Sequence, residues 1–158
     1  MSVALPSMPK PRPLALTLLT SMVGGPLPQS YLEFVGKHDG AEPESNSLDG
    51  RGHVSVTRFI SVERAAREFA SVDGFPSGVI PFAEDGCGNY TYISPMTGAV
   101  HYWDHEVEGD EKVALDVPDF LSRLVEFDVA SLQLRPGQVK HAWIDPDFLA
   151  SLKCDGET

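Results

Sequence analysis

The sequence is poor in basic residues. Twelve lysines and arginines stand against 23 aspartates and glutamates, which gives a formal net charge of −11. A phosphate backbone attracts positive charge, so this composition argues against a nucleic-acid-binding protein and against one that binds an anionic membrane surface. Strong acidity promotes solubility, and it also steers association with a basic protein partner. Composition alone leaves both explanations open.

The chain also has few cysteines and no long apolar run. Cys87 and Cys154 are too few for a disulfide framework or a zinc site, and we expect free thiols in a reducing cytosol, although one bridge between them is possible. The apolar run 14–19 contains Thr17 and follows a proline-rich stretch that would break a signal helix. No segment approaches the roughly 20 apolar residues that span a bilayer. These features predict a cytoplasmic protein without a membrane partner.

Familiar catalytic and nucleotide-binding motifs are absent. The sequence has no phosphate-binding loop of the Gly-Lys-Ser/Thr type and no Gly-x-Ser-x-Gly elbow. Residues 86–88 (Gly-Cys-Gly) begin like a dinucleotide fingerprint, but Thr91 stands where the third glycine belongs. Cys87 could act as a nucleophile, yet no neighbouring motif supplies its base, and a thiol in a turn is the simpler interpretation. We predict a non-enzymatic protein.

Two histidines beside an acidic stretch raise the question of a metal site. His101 and His105 would share one face of a helix, but their segment has the alternating pattern of a strand. On a strand they lie about 13 Å apart, which is too far for one metal ion without a sharp bend. We therefore expect no metal and no other cofactor, and a role for these polar groups at the strand end.

Prolines, glycines and apolar residues divide the chain into three parts. Residues 1–26 are rich in proline and glycine and are expected to form a loosely ordered N-terminal arm with a helical turn around 14–22. Residues 27–128 carry the regular elements of one domain. Residues 129–158 have a weaker pattern and are expected to form a C-terminal extension that packs on the same domain.

Helices and short strands alternate within the central part. Leu27-Pro28 opens a helix that stops at Asp39-Gly40, because proline suits the first helical turn. A polar loop (39–52), a strand (54–60), a helix capped by Ser61, and three strands at Val79–Ala83, Tyr90–Ser94 and Ala99–Asp104 follow. The turns between these three strands are typical of antiparallel hairpins. With a helix after Asp116, the pattern predicts an α+β fold with a twisted antiparallel sheet of about four to six strands flanked by helices.

Four short sequence phrases stand in order along this part. A Leu-Pro helix start leads to Asp39-Gly40, and Ile80-Pro81-Phe82 runs through an acidic, glycine-rich turn to Tyr90. A strand with aromatic residues and an Asp-His-Glu tail (100–106) and a helix start at 118–121 follow. Together they resemble the SUKH superfamily of bacterial immunity proteins and yeast cell-wall-synthesis regulators, although the family usually has Asn-Gly at the first turn. The resemblance covers residues 27–127.

The resemblance implies an α+β scaffold that binds proteins. Many bacterial members are immunity proteins that block a cognate toxin, so it implies stoichiometric binding that neutralises a toxin. A nuclease-type toxin domain with a basic cleft would suit this acidic chain, which is an inference from charge alone. Two alternatives stay open, namely a regulatory or scaffold protein with a housekeeping partner, and a small cysteine-dependent hydrolase that uses Cys87. The oligomeric state stays open as well.

The candidate partner-binding residues lie at the ends of the predicted hairpin strands. Seven acidic residues between Asp104 and Asp119 stand against the single Lys112 and would concentrate negative potential if they fold onto one face. Tyr102 and Trp103 are successive strand residues, so we expect one to be buried and the other to be exposed as an interface anchor. The candidate surface comprises Glu84, Asp85, Tyr102, Trp103, Asp104 and Glu106.

Overall fold

The computed structural model describes residues 4–107 and 109–127. The helices in these ranges are α1 (Pro13–Val23), α2 (Gln29–His38), α3 (Val62–Arg67) and α4 (Val117–Ser122), with a 3-10 turn at Phe69–Ser71. The strands are β1 (Ser47–Leu48), β2 (Arg58–Phe59), β3 (Ile80–Glu84), β4 (Tyr90–Ile93), β5 (Val100–Asp104), β6 (Gly109–Ala114) and β7 (Leu124–Val125). The extension expected at residues 129–158 lies outside the described residues.

Five strands form one antiparallel sheet in the order β2-β3-β4-β5-β6, so each strand pairs with its neighbours along the chain. β1 and β7 form a separate two-stranded antiparallel pair. The predicted α+β class, with an antiparallel sheet and flanking helices, is confirmed. The three central strands that the sequence predicts correspond to β3, β4 and β5, and the predicted helices correspond to α2, α3 and α4.

The sequence does not predict β1, β6 and β7. β6 has the sequence Gly-Asp-Glu-Lys-Val-Ala, whose residues are mostly poor strand formers, and it is a strand because it pairs with β5. β1 lies within the segment expected to be a polar loop, yet Ser47 and Leu48 are buried. The strand expected over 54–60 is regular only at Arg58–Phe59. In each case pairing with another strand decides the conformation.

A β-bulge in β3 concentrates apolar side chains on one face of the sheet. The register with β4 shifts between Pro81 and Ala83, so Ile80, Phe82 and Ala83 all belong to the core, whereas a regular strand would contribute every second residue. Phe82 lies at the centre of this core, with ring centroids of Phe34, Phe59 and Phe120 at 5.3, 5.1 and 5.7 Å. The bulged strand thereby joins α2, β2 and α4.

The other face of the sheet carries a second aromatic cluster. Tyr90, Tyr92 and Trp103 lie on this face, since they alternate with core residues along β4 and β5. Phe75, from the segment that precedes β3, contacts all three edge-on with ring centroids at 5.8, 6.0 and 5.3 Å. Both faces of the central strands are therefore covered.

The region expected to be a loosely ordered arm contains a longer helix than the sequence predicts. α1 is eleven residues long, and its Ala15 and Leu19 are buried in the core. Pro13 occupies the start of the helix, where its missing N–H removes no helical hydrogen bond. Gly24 ends the helix at φ +82°, a conformation that favours glycine. Neither α1 nor any other helix in the described ranges is long and apolar enough to cross a membrane.

Candidate protein-binding surface

Two turns meet at one end of the main sheet. β3 and β5 run in the same direction because each is antiparallel to β4, so both finish at the same end. The turn that follows β3 contains Asp85, and the turn that follows β5 contains Glu106. Glu84 and Asp104 are the last residues of the two strands. The structure thus brings the four acidic candidate residues to one end of the sheet, which we call the acidic end.

Glu84 is engaged within the fold. Its two carboxylate oxygens accept hydrogen bonds from the two terminal nitrogens of Arg64, each at 3.1 Å, and its side chain is only 20% exposed. Arg64 also donates to Glu68 at 3.0 Å. The hydrogen bond with Glu84 is the main reason why the pKa of Arg64 lies above its ordinary value. Glu84 therefore holds α3 against β3 and presents little free carboxylate to a partner.

Asp85 organises the turn between β3 and β4. Its Oδ1 accepts hydrogen bonds from the backbone N–H groups of Cys87 at 2.7 Å and Asn89 at 3.2 Å. Its Oδ2 accepts from the side-chain amide of Asn89 at 3.0 Å. Gly86 and Gly88 have φ values of +83° and +93°, which side chains rarely allow. The Asp85 carboxylate fixes this glycine-containing turn and still contributes its negative charge to the acidic end.

Asn89 connects the two turns. Its Oδ1 accepts a hydrogen bond from the backbone N–H of His105 at 3.2 Å and lies 2.7 Å from His105 Nδ1. Because the Asn89 amide nitrogen donates to Asp85, its oxygen faces His105, and Nδ1 carries the proton when the ring is neutral. Sequence reasoning missed this role, because the contact joins residues 16 positions apart and no local motif signals it.

Asp104 and Glu106 form the outer part of the acidic end. Asp104 Oδ1 accepts a hydrogen bond from the backbone N–H of Glu106 at 2.9 Å, which shapes the turn after β5. Glu106 is exposed, and Asp104 is half-buried. Glu106 is the candidate carboxylate that a partner reaches with the least rearrangement.

The expectation that one of Tyr102 and Trp103 is exposed is wrong. Tyr102 is 7% exposed and Trp103 is 3% exposed. Trp103 stacks on Tyr90 with ring centroids 6.1 Å apart, and Tyr102 lies 5.3 Å from the ring of His53 on the opposite face. Alternation does turn the two side chains to opposite faces, but both faces are covered. These aromatic residues support the acidic end from inside the sheet.

The Tyr102 side chain lies close to both acidic turns. Burial raises the pKa of Tyr102, and the negative charges of Asp85 and Asp104 raise it further. A side-chain hydrogen bond with Asn89 acts in the opposite direction. Two carboxylates from the ends of different strands therefore raise the pKa of the same phenol.

The remainder of the acidic stretch is distributed along the edge of the sheet. Asp110 and Glu111 are successive residues of β6 and point to opposite faces. Asp110 accepts a hydrogen bond from the hydroxyl of Tyr92, and Glu111 pairs with His53 at 3.0 Å. The last acidic residues of the stretch lie at the start of α4. The six acidic residues of this stretch that the structure describes do not form a single face.

The structure also shows where the two histidines considered as metal ligands and the cysteine considered as a nucleophile lie. Within residues 4–107 and 109–127 no group of three or more histidine, cysteine or acidic side chains could hold a metal ion. His101 stacks on Tyr92 with ring centroids 5.1 Å apart, whereas His105 lies against Gly88 and is bound by Asn89. Cys87 is an exposed free thiol, and Cys154 lies outside the described residues.

A comparison with known families agrees with this arrangement. A family model described as SMI1 / KNR4 family (SUKH-1) matches residues 15–123. The matched range covers more than half of the chain, begins within α1 and includes the main sheet with both acidic turns. No curated protein matches the chain significantly. The resemblance to the SUKH superfamily is confirmed, and the chain belongs to the SMI1 / KNR4 family (SUKH-1).

Proposed function

We propose that this chain is an immunity protein that binds a cognate toxin stoichiometrically and neutralises it in the cytoplasm. Family membership is consistent with an immunity protein or an SMI1/KNR4-like regulatory protein. The observation that most favours the acidic end as the binding surface is that β3 and β5 run in the same direction, which brings their acidic C-terminal ends to one end of the sheet. A net charge of −11 favours a basic partner.

The proposed contact residues are Asp104 and Glu106, with Asp85 adding to the negative potential. Glu84, Tyr102 and Trp103 belong to the same surface as its support, since Glu84 is bound by Arg64 and both aromatic side chains are buried. A partner arginine or lysine that approaches Glu106 enters a field to which several carboxylates contribute. Such a field raises the association rate and selects against acidic competitors.

A nuclease-type toxin domain is the partner class that fits this charge. An enzyme that acts on nucleic acid uses a basic surface to hold the phosphate backbone. An acidic protein bound across that surface would exclude the nucleic acid by occupying its site. Inhibition of this kind requires no catalytic residue in the inhibitor.

The first test is purification of the tagged full-length chain from its native host, followed by mass spectrometry. We expect one basic toxin domain at equal stoichiometry. Recovery of a kinase, a wall-synthesis enzyme or another housekeeping protein would favour the regulatory or scaffold alternative, which family membership also allows. Retention of full protection in a Cys87→Ala variant would remove the cysteine-hydrolase alternative.

The second test measures binding of the recovered toxin to charge variants. Asp104→Asn with Glu106→Gln removes two charges and keeps the acceptor that binds the Glu106 N–H. The matched control, Glu33→Gln with Glu44→Gln, removes two charges from exposed positions on α2 and in the loop before β1. We expect slower association and a weaker salt dependence only for the first pair. Equal effects from both pairs, or none from the first, would rule out the acidic end as the binding surface.

A further inference from the structure

α1 carries a line of apolar side chains on its outer surface. Leu14 and Leu18 are 59% and 39% exposed, and Met22 is partly exposed one turn further on. Residues spaced by four lie on one face of a helix, so these three side chains form a continuous stripe. Residues 13–32 contain no charged residue. Single exposed leucines are ordinary, but an uncharged apolar stripe of this kind is typical of an interaction surface.

The stripe leads to an apolar cavity. Met22 lines a partly open cavity of about 260 Å³ together with Phe69, Val72, Phe75 and Val79. None of the side chains that line this cavity is charged. The cavity is large enough to receive one large apolar side chain. α1 thus presents the exposed Leu14 near its beginning and borders the cavity near its end.

Leu14 and the cavity residue Met22 are placed symmetrically about Leu18 in the sequence of α1. Leu14 and Met22 each lie four residues from Leu18, which is about 6 Å along the helix axis. When two copies of α1 pack antiparallel with Leu18 at the two-fold axis, Leu14 of each copy meets Met22 of the other at the mouth of its cavity. Thr17 and Ser21 are exposed beside the stripe, and their small side chains allow a close approach of the helices. A self-complementary patch is what a two-fold interface requires.

We propose that the outer face of α1 and the adjoining cavity form a homodimer interface, with a second copy of this chain as the occupant. Two molecules with a net charge of −11 repel each other wherever their acidic surfaces meet. The uncharged face of α1 lets two copies associate without opposing carboxylates, whereas a basic partner is favoured at the acidic end. The interface of two short helices is small, so we expect reversible association. The inference uses different residues from the proposed toxin contact and does not depend on it.

Analytical ultracentrifugation of the full-length chain tests the proposal. Between about 1 µM and about 1 mM we expect the mass to rise from that of the monomer toward twice that value. Leu18→Glu buries a charge in the interface and is expected to raise the dissociation constant at least about tenfold. The matched control is Leu115→Glu, because Leu115 is 67% exposed and lies outside α1. The control should dimerise within about twofold of the wild type.

A mixing experiment separates a two-fold interface from any other use of the stripe. Leu18→Lys alone should also be monomeric, whereas an equimolar mixture of Leu18→Glu and Leu18→Lys should dimerise, since the two charges meet at the axis. Circular dichroism would verify that each variant is folded. A wild-type chain that stays monomeric throughout, equal dissociation constants for Leu18→Glu and Leu115→Glu, or a mixture no better than its components would each overturn the proposal.

Discussion

Arg123 and Asp49 lie 74 positions apart in the sequence and are joined by three hydrogen bonds in the fold. The guanidinium of Arg123 donates Nε to Oδ1 of Asp49 at 3.0 Å and Nη2 to Oδ2 at 2.7 Å. In return, the backbone N–H of Asp49 donates to the carbonyl of Arg123 at 2.8 Å. Arg123 Nη1 also donates to the carbonyl of Val113 at 2.8 Å. One side chain thus connects the turn after β1, the end of β6 and the end of α4.

Replacement of Arg123 should destabilise the fold more than replacement of an ordinary surface arginine. We expect Arg123→Ala to lower the free energy of unfolding by about 2 kcal/mol, since several charge-assisted hydrogen bonds are lost. Arg123→Lys should lower the free energy of unfolding by about half as much, because lysine cannot bind Asp49 through two donors in the bidentate geometry of arginine. Urea denaturation measures both values. Arg58→Ala is the control, since Arg58 pairs with Glu42 at the surface; a loss equal to that of Arg123→Ala would contradict this interpretation.

Removal of the hydroxyl group should change the free energy of unfolding in opposite directions at two tyrosines. Tyr31 is fully buried, and its hydroxyl has no hydrogen-bond partner among the described residues. Tyr31→Phe should therefore raise the free energy of unfolding by about 1 kcal/mol. The hydroxyl of Tyr92 donates to Asp110, so Tyr92→Phe should lower it by about 1 kcal/mol. Thermal and urea unfolding at neutral pH compare the two variants, and a loss of stability in Tyr31→Phe would show that its hydroxyl is satisfied.

The fold should be less stable when the Asp39 carboxyl group is ionised, as it is at neutral pH, than when this group is protonated. Burial raises the pKa of Asp39, the hydrogen bond from the Val62 N–H lowers it, and the charge of Glu63 raises it. A raised pKa in the folded state means that stability falls as the pH rises from the unfolded value of about 3.9 through the folded value. Asp39→Asn keeps an acceptor for Val62 and should be more stable than the wild type at pH 7 by up to about 1 kcal/mol. Unfolding midpoints across that pH range measure the difference, which should shrink in acid; a constant difference would contradict the assignment.

Asn89 should keep both turns of the acidic end ordered. Asn89→Ala removes the hydrogen bonds to Asp85 and His105, so the backbone amides of Cys87 and His105 should exchange with solvent faster. We expect an increase of about tenfold in exchange rate at these amides, with little change in β4. Hydrogen exchange followed by NMR measures it. The control is Asn46→Ala, in the exposed loop before β1, which should leave the exchange rates in both turns unchanged. Unchanged exchange rates in Asn89→Ala would show that the turns are ordered without the Asn89 side chain.

The parts of the fold that the sequence predicts are those with local signals. The hairpins of β3, β4 and β5 follow from alternating apolar residues and from turn residues such as Gly86 and Gly88, whose positive φ values the structure shows. α3 follows from Ser61, whose side chain accepts a hydrogen bond from the Arg64 N–H at the start of the helix. β6 has no such signal, because its polar residues form a strand only in the presence of β5.

The candidate binding surface likewise combines features that local sequence signals predict with features that they do not. Chain direction predicts that Asp85 and Asp104 lie at one end of the sheet once the hairpins are known. Alternation also assigns Tyr102 and Trp103 to opposite faces, but it does not show that Phe75, from an irregular segment, covers the face of Trp103. The bidentate contact of Arg64 with Glu84 is equally non-local. Prediction of exposure requires knowledge of the covering segment, which no pattern within a strand contains.

The link through Asn89 has a consequence for whatever molecule approaches the acidic end. Two turns that share one amide side chain cannot reorient independently. Their conformational entropy is lost when the chain folds, so a partner that docks there does not have to order them again. Such preorganisation favours recognition by rigid docking, with complementary shape already present in the unbound protein.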